Sequence, residues 1–404
     1  MINFFKAMSI LLNNSKNKYK FLKEKYICTE KSINNISSIN IFSNKNIPSF
    51  KNSAMDGYAI NINYLNNKIE QLYFFKIIKK IHAGDFFEKK NMYSNDAVEI
   101  MTGARIPSNL NAVIKYEDVL KNNDINFFTT KIVKHFENIK LIGDDIKIGD
   151  KIIGKGKILN MSDITALSTI EKKKIKIFKN PNIYLINTGN ELSDKINESN
   201  LMSISNSSRA YIISFLKNLN INLKNLQTIK DDVKKFIDHI KIIWSLNYLS
   251  IFITTGAVSK GKSDFIPLIL KFLGIKILFH SVNIKPGKPL LFGNFKNFIF
   301  FFCLPGNPIS TIVGTRFFLY PFIMLLLGQN LEEPIKLDIY NEINNKKDSF
   351  LKSFSYFKDN KLINLILNNQ ESFKVKPMLK ANSFTFIKKN ENKRYIYFNY
   401  TTRT

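Results

Sequence analysis

Apolar residues run along this chain in short blocks, and the spacing of the blocks changes from one part of the sequence to the next. Residues 1–12 carry apolar positions interrupted by Lys6 and read as an amphipathic helix. From about 50 to 142 the apolar segments are brief, as at 96–101, 112–116 and 126–133, with Gly, Asn and Asp between them, which predicts a β-rich module. Turn-rich stretches at 44–48 and 143–150 bracket that module, and 163–172 reads as a helix returning to the N-terminal segment. One module is therefore expected to be inserted into another. From 180 the pattern becomes strand, glycine turn, helix, repeated. Strands are expected at 182–186, 250–253 and 298–303, and helices at 207–219, 265–273 and from 309 onward. Such alternation predicts a parallel sheet with helices on both faces and ligands beyond the carboxyl ends of its strands. After about 332 the alternation stops, and short β-like runs at 337–340, 383–387 and 394–400 predict a small β domain. The expected fold class is α/β multidomain. Its parts are a discontinuous N-terminal helical and linker domain (1–49 and 143–179), a β-rich inserted domain (50–142), a parallel α/β sandwich domain (180–329) and a small C-terminal β domain (330–404).

Composition changes this picture little. The chain has 404 residues and 45% hydrophobic content, ample for several cores. Lys and Arg total 60 against 32 Asp and Glu, a formal charge of +28, which on its face invites a polyanion. Only Arg105, Arg209, Arg316, Arg394 and Arg403 are arginines, and the lysines are spread along the whole length. Lysine is the less suited cation for bidentate phosphate or base recognition, so no specific nucleic-acid partner is expected. Cys28 and Cys303 do not make a disulfide framework, and His82, His135, His239 and His280 show no metal-ligand spacing. The longest apolar stretches, around 298–304 and 317–327, fall short of the roughly 20 residues of a membrane helix. A cytoplasmic protein with no membrane partner is expected.

The chemistry-bearing strings lie in the loops. Lys285-Pro286-Gly287-Lys288-Pro289 and Leu304-Pro305-Gly306-Asn307-Pro308 flank the strand at 298–303, and the second opens a helix. A buried strand ending in a tight turn before a helix directs amides and the positive dipole end at one point, an arrangement suited to an anion. Thr188-Gly189-Asn190-Glu191-Leu192 and Thr255-Gly256-Ala257-Val258-Ser259-Lys260-Gly261, with Asp264 beyond, follow two further strands and bring carboxylates beside such amides. Glu191 and Asp264 over phosphate-binding amides would suit Mg²⁺, a hard ion usually held by one or two carboxylates plus substrate oxygens. For Asp264 a helix N-cap is an equal reading, and for Asp231 and Asp232 capping is the favoured one. Asn52-Ser53-Ala54-Met55-Asp56-Gly57-Tyr58-Ala59 reads locally as an Asp-Gly turn opening a strand, and Met101-Thr102-Gly103-Ala104 as a second glycine turn.

Taken together with Gly143-Asp144-Asp145-Ile146 and Asn206-Ser207, these strings stand in an order that resembles the molybdopterin molybdenumtransferase family, which includes bacterial MoeA and the gephyrin E domain. The resemblance spans the chain. It implies a molybdopterin-binding-like α/β domain and an elongated homodimer whose cleft lies between that domain and the inserted domain of the partner. It also implies the last step of molybdenum cofactor synthesis: adenylylated molybdopterin and molybdate give the cofactor and AMP, assisted by Mg²⁺. A working contact with the molybdopterin adenylyltransferase is a further implied partner. On matching positions the family set comprises Asp56, Thr102, Asp145, Glu191, Asp231 and Asp264 as catalytic residues, with Glu191 and Asp264 on the metal. Substrate contacts fall to Gly189, Ser207, Gly256, Ser259, Gly261, Lys285, Gly287, Lys288, Pro305, Gly306, Asn307 and Pro308. Asn190 and Ala257 stand where the family usually has Asp and a second Gly, so retained but slower catalysis is expected, with a molybdopterin-binding or scaffold protein without turnover as the alternative.

Overall fold

The computed structural model describes all residues except 17, 68–71, 122, 190–191, 194–203, 220, 222, 259–263, 339–346, 390 and 400–404. The chain forms two compact units, one of Met1–Ile39, Lys155–Ile164 and Lys174–Thr404, the other of Asn40–Gly154 and Thr165–Lys173. The second unit is threaded into the first. In the first unit Glu24–Cys28 pairs antiparallel with Lys174–Phe178, and in the second Ile41–Phe42 pairs with Lys151–Ile153. The chain thus leaves and rejoins each unit on neighbouring strands.

The inserted unit is built on a six-stranded sheet in the order Ala112–Lys115, Gly57–Ile60, Asp96–Ile100, Tyr73–Ile81, Asn126–Thr129, Leu120–Lys121. Tyr58, Ile60, Phe75, Ile114 and Phe127 pack on one face, while Ala59, Ile81, Val98, Ile100 and Val113 pack on the other. Residues 57–60 are consequently buried without a break, the mark of a strand covered on both sides.

The α/β sheet of the first unit contains β1 (Asn182–Thr188), β2 (Leu223–Ile229), β3 (Ser250–Thr255), β4 (Lys276–His280), β5 (Leu291–Phe295) and β6 (Ile299–Leu304), in the order β2-β1-β3-β6-β5-β4. β2, β1, β3 and β6 are parallel, but β5 runs antiparallel to both its neighbours, β6 and β4, so that β4 again points with the parallel set and the sheet is mixed rather than wholly parallel. The reversal comes at residues 296–298, where Lys296 and Asn297 take positive φ and Asn294 Oδ1 accepts the Asn297 N–H. Apolar alternation covers both faces. Ile183, Leu185, Ile251, Ile253, Phe300 and Phe302 face α1 (Ser207–Asn218) and α4 (Pro308–Leu326). Tyr184, Ile186, Phe252, Phe301 and Cys303 face α2 (Val233–Ile240) and α3 (Ile266–Phe272). Phe300, Phe301 and Phe302 are fully buried, at about 1.5–3 kcal/mol each.

α4 contains a π-helical turn at Thr315–Leu319, just before Pro321, which has no N–H to donate. Its 19 residues are apolar and long enough for a membrane span by length and composition, more than the separate apolar stretches suggested, yet 89% of its most apolar window is buried inside the unit. It is a core helix here. The N-terminal helix Phe4–Ser15, capped by Asn3 Oδ1 on the Lys6 N–H, packs Phe4 edge-on against Phe318 and Phe350. The C-terminal sheet includes Ile335–Asp338, Ser383–Ile387 and Lys393–Phe398 near the expected runs. Its longest member, Asp348–Lys358, hairpins to Lys361–Ile366 through Asp359 and Asn360, both at positive φ.

Candidate active site

A cleft of about 640 Å³ opens at the carboxyl ends of β1, β3 and β6. Its floor is made where three strand ends converge. Thr188 Oγ1 donates to Thr255 O at 3.1 Å, Thr255 Oγ1 donates to Asn187 Oδ1 at 2.8 Å, and the Gly256 N–H donates to Leu304 O at 3.1 Å. Gly256 has φ +87°, and a Cβ there would stand 2.4 Å from Thr188 O. No other residue lets the second strand end lie so close to the first. Ala257 follows at φ +48°, in the left-handed region that L side chains disfavour. His280 Nε2 lies 2.8 Å from Val258 O and ties this loop to β4.

Two helix starts form the walls. Asn206 caps α1, its Oδ1 accepting the Arg209 N–H at 2.9 Å, and Asn307 precedes α4. A hydroxyl network binds the two together: Ser208 Oγ donates to Gly306 O at 3.1 Å and meets Thr311 Oγ1 at 3.1 Å, while Thr311 Oγ1 donates to Pro305 O at 2.6 Å. This fixes the Pro305-Gly306-Asn307-Pro308 loop against α1. The amides are not equally available, however. Pro308 has no N–H, and the Ile309 N–H donates to Ser372 O at 3.0 Å, so part of the α4 terminus is already used. Asn206 Nδ2, buried beside the cleft, has no hydrogen-bond partner among the described residues. The α1 mouth thus adds a buried side-chain donor to its helix start, where the Arg209 N–H is taken by the cap as the Ile309 N–H is at α4.

Of the expected substrate residues, Ser207, Gly256, Pro305, Gly306, Asn307 and Pro308 line the cleft, and so does the candidate metal ligand Asp264. Gly189 lies next to Thr188, its N–H donating to Ile229 O. Gly287 packs on α4, where a Cβ would lie 3.6 Å from Ser310 O, whereas Lys285 and Lys288 are exposed and only Pro289 of that loop reaches the cleft lining. Asp231 is exposed at the turn before α2, and neighbouring Asp232 is the residue that caps the helix, on the Lys235 N–H at 3.1 Å. Glu191, Ser259 and Gly261 fall outside the described residues, as does Asn190.

Asp56, Thr102 and Asp145 belong to the inserted unit. Asp56 is exposed, and its Oδ1 accepts both the Thr102 N–H at 2.7 Å and the Thr102 Oγ1–H at 2.8 Å. These bonds, the amide first, hold the Asp56 carboxyl below its ordinary pKa. The next residue has to be glycine, since a Cβ on Gly57 would lie 1.9 Å from Ile114 O across the ladder. The Asp-Gly pair is thus a carboxylate set on a strand start that admits no side chain. Asp145 is exposed in the turn after Gly143, its N–H donating to Ile47 O.

Residues 2–170 match the MoeA N-terminal region, domains I and II, and residues 184–324 match the probable molybdopterin binding domain. The molybdopterin molybdenumtransferase of Haemophilus influenzae is 32% identical over 305 residues, which cover 75% of this chain and 73% of that protein. The chain belongs to the molybdopterin molybdenumtransferase family. Within it, the Staphylococcus epidermidis member of the same name is 33% identical over 305 residues, 74% of this chain and 71% of that one. A crystal structure of the molybdopterin biosynthesis MoeA protein from Pyrococcus horikoshii superposes with a TM-score of 0.79 at 21% identity, covering 98% of this chain and all of the other. That likeness establishes the multidomain α/β fold.

Residues without a signal of their own in the sequence are Ser208 and Phe373 in the cleft lining and the buried Thr311 behind it, which bonds Pro305 O and meets Ser208 Oγ. Phe373 comes from a turn that follows the C-terminal strand Lys361–Ile366, and no local pattern connects residue 373 to a loop at 305.

Proposed function

We propose that this chain is a molybdopterin molybdenumtransferase that takes adenylylated molybdopterin and molybdate and yields molybdenum cofactor and AMP. The observation that carries this reading is the cleft itself, in which two helix N-termini, a glycine floor and the Asp264 carboxylate meet at the carboxyl ends of parallel strands. Cleaving a phosphoanhydride asks for positioning and for neutral or positive surroundings around the bridging phosphate oxygens, and α1 amides aimed at that point meet the demand. The hydroxyl network through Ser208 and Thr311 holds the walls in place so that no reorganisation is needed as charge builds.

Asp264 fits a role on Mg²⁺, being a half-buried carboxylate in the cleft lining beside these amides, and Glu191 is the partner that the family motif nominates. The ion would supply charge neutralisation on the phosphate oxygens. Asp56, Thr102 and Asp145 would complete the cleft from a partner subunit in a homodimer, acting in the cytoplasm downstream of an adenylyltransferase. Purified protein given adenylylated molybdopterin, molybdate and Mg²⁺ should release AMP. No AMP where a characterised family member works sinks the proposal.

The second reading is a molybdopterin-binding protein that has lost turnover. Ala257 in the left-handed region favours it, because the strain falls on the cleft floor. Ligand binding without AMP release in the same assay would establish it.

A further inference from the structure

The loop at 369–374 is built around a lysine. Lys352 is 1% exposed on the strand Asp348–Lys358, and its ammonium donates to Asn369 O at 2.8 Å, Lys374 O at 3.1 Å and Glu371 O at 3.3 Å. Gln370 closes the arrangement, its Oε1 accepting the Lys352 N–H and its Nε2 donating to Lys352 O, both at 2.9 Å. An ammonium buried among carbonyls has a use for every donor, so the loop has one conformation. That conformation is docked onto the cleft: Ser372 O accepts the Ile309 N–H at 3.0 Å, and Ser372 Oγ accepts from Asn307 Nδ2 at 3.2 Å.

The next residue is Phe373, which lines the cleft yet is 65% exposed. A phenyl ring left in water on a loop this tightly held loses apolar burial that a partner would restore. The cleft volume suits a nucleotide-sized ligand, and the α1 amides lie where its phosphate would bind. We propose that Phe373 is a specificity-determining residue, its ring stacking on the planar bicyclic nitrogen heterocycle, adenine or pterin, of a phosphate-bearing ligand in the cleft, with Lys352 as the positioning residue that holds it there. The proposal rests on the reading of the cleft given above. Stacking on an aromatic face is sequence-tolerant and strong enough to matter, which makes it suited to one ring of a substrate whose other end is fixed by charge.

Calorimetry on the full chain with AMP, xanthopterin and ribose phosphate separates the possibilities. Phe373→Leu is expected to weaken AMP, xanthopterin or both by about ten- to hundredfold and leave ribose phosphate unchanged, with Phe373→Trp restoring affinity. Loss for AMP alone places adenine on the ring, and loss for xanthopterin alone places the pterin. Lys352→Met should reproduce the ring-selective loss, and adding it to Phe373→Leu should weaken binding no further, since both act through one contact. Equal affinities in wild type and Phe373→Leu, or equal losses for all three ligands, overturn the stacking while leaving the cleft intact. If the wild-type protein binds none of them, the reading of the cleft fails and takes the stacking with it.

Discussion

Gly256→Ala perturbs the point where the strand ends are closest. Two penalties can be worked out from its surroundings. A φ of +87° costs an L residue about 1–2 kcal/mol, and a methyl 2.4 Å from Thr188 O and 2.9 Å from Thr188 Oγ1 forces the β1 and β3 ends apart, an overpacking worth about 1–3 kcal/mol. Reduced freedom of the unfolded chain returns about 0.4–1 kcal/mol, leaving a net loss of about 1–5 kcal/mol. Gly274→Ala is the internal control, with φ +75° and nothing within 4 Å of the added methyl, so it should show the backbone penalty alone. Urea unfolding of both variants, with unchanged m, gives the difference between them as the steric contribution. Since the displaced atoms form the cleft floor, AMP release should also fall in Gly256→Ala and not in Gly274→Ala. Equal stability losses in the two, or a Gly256→Ala loss below about 0.5 kcal/mol, would refute the claim that close approach rather than φ demands this glycine.

Two further expectations concern protons and thiols. Thr102 holds the Asp56 pKa below its ordinary value, so the stabilisation is present above the unfolded-state pKa and is lost as pH falls through the folded one. Thr102→Val removes the Oγ1–H and keeps the amide, so the Asp56 midpoint in a carboxyl-carbon NMR titration should rise part of the way toward the ordinary value; an unmoved midpoint would count against the hydroxyl bond. Burial pushes the Cys303 thiol up to about 12, whereas Cys28 is exposed. A maleimide should therefore label Cys28 alone in the native protein and both after denaturation, and native labelling of Cys303 would mean that β6 is not covered on its Phe301 side.

The elements legible in the sequence are those whose hydrophobic period is carried locally. β6 is a continuous apolar run, β3 carries Ile-Phe-Ile ahead of its Thr-Thr-Gly turn, and α1 follows an Asn-Ser cap, so their places can be read directly. The edge strand β2, Leu-Lys-Asn-Leu-Gln-Thr-Ile, is only half apolar and does not stand out, because an edge strand needs one good face and the other neighbour is water. The antiparallel β5 is equally hidden, because its reversal depends on positive φ at Lys296 and Asn297, and lysine gives no warning of that. At the site, motif order locates the loops, and Ser207, Gly256, Asp264 and residues 305–308 do line one cleft. Which amides are free is not legible. That depends on Ser372, whose carbonyl takes the Ile309 N–H from the turn that follows Lys361–Ile366.

The strand pairing of Ile41–Phe42 with Lys151–Ile153 has a consequence for how such a chain can be rearranged. The two ends of segment 40–154 are side by side, so bridging them requires spanning only the gap between adjacent strands, about 5 Å, while 165–173, the remainder of that unit, stays in the chain. Folding of either unit then carries no large loop-closure penalty from the other. The inserted sheet can be exchanged between relatives as a cassette with the seam at those two short strands, on condition that residues 165–173 of the recipient still pack on it.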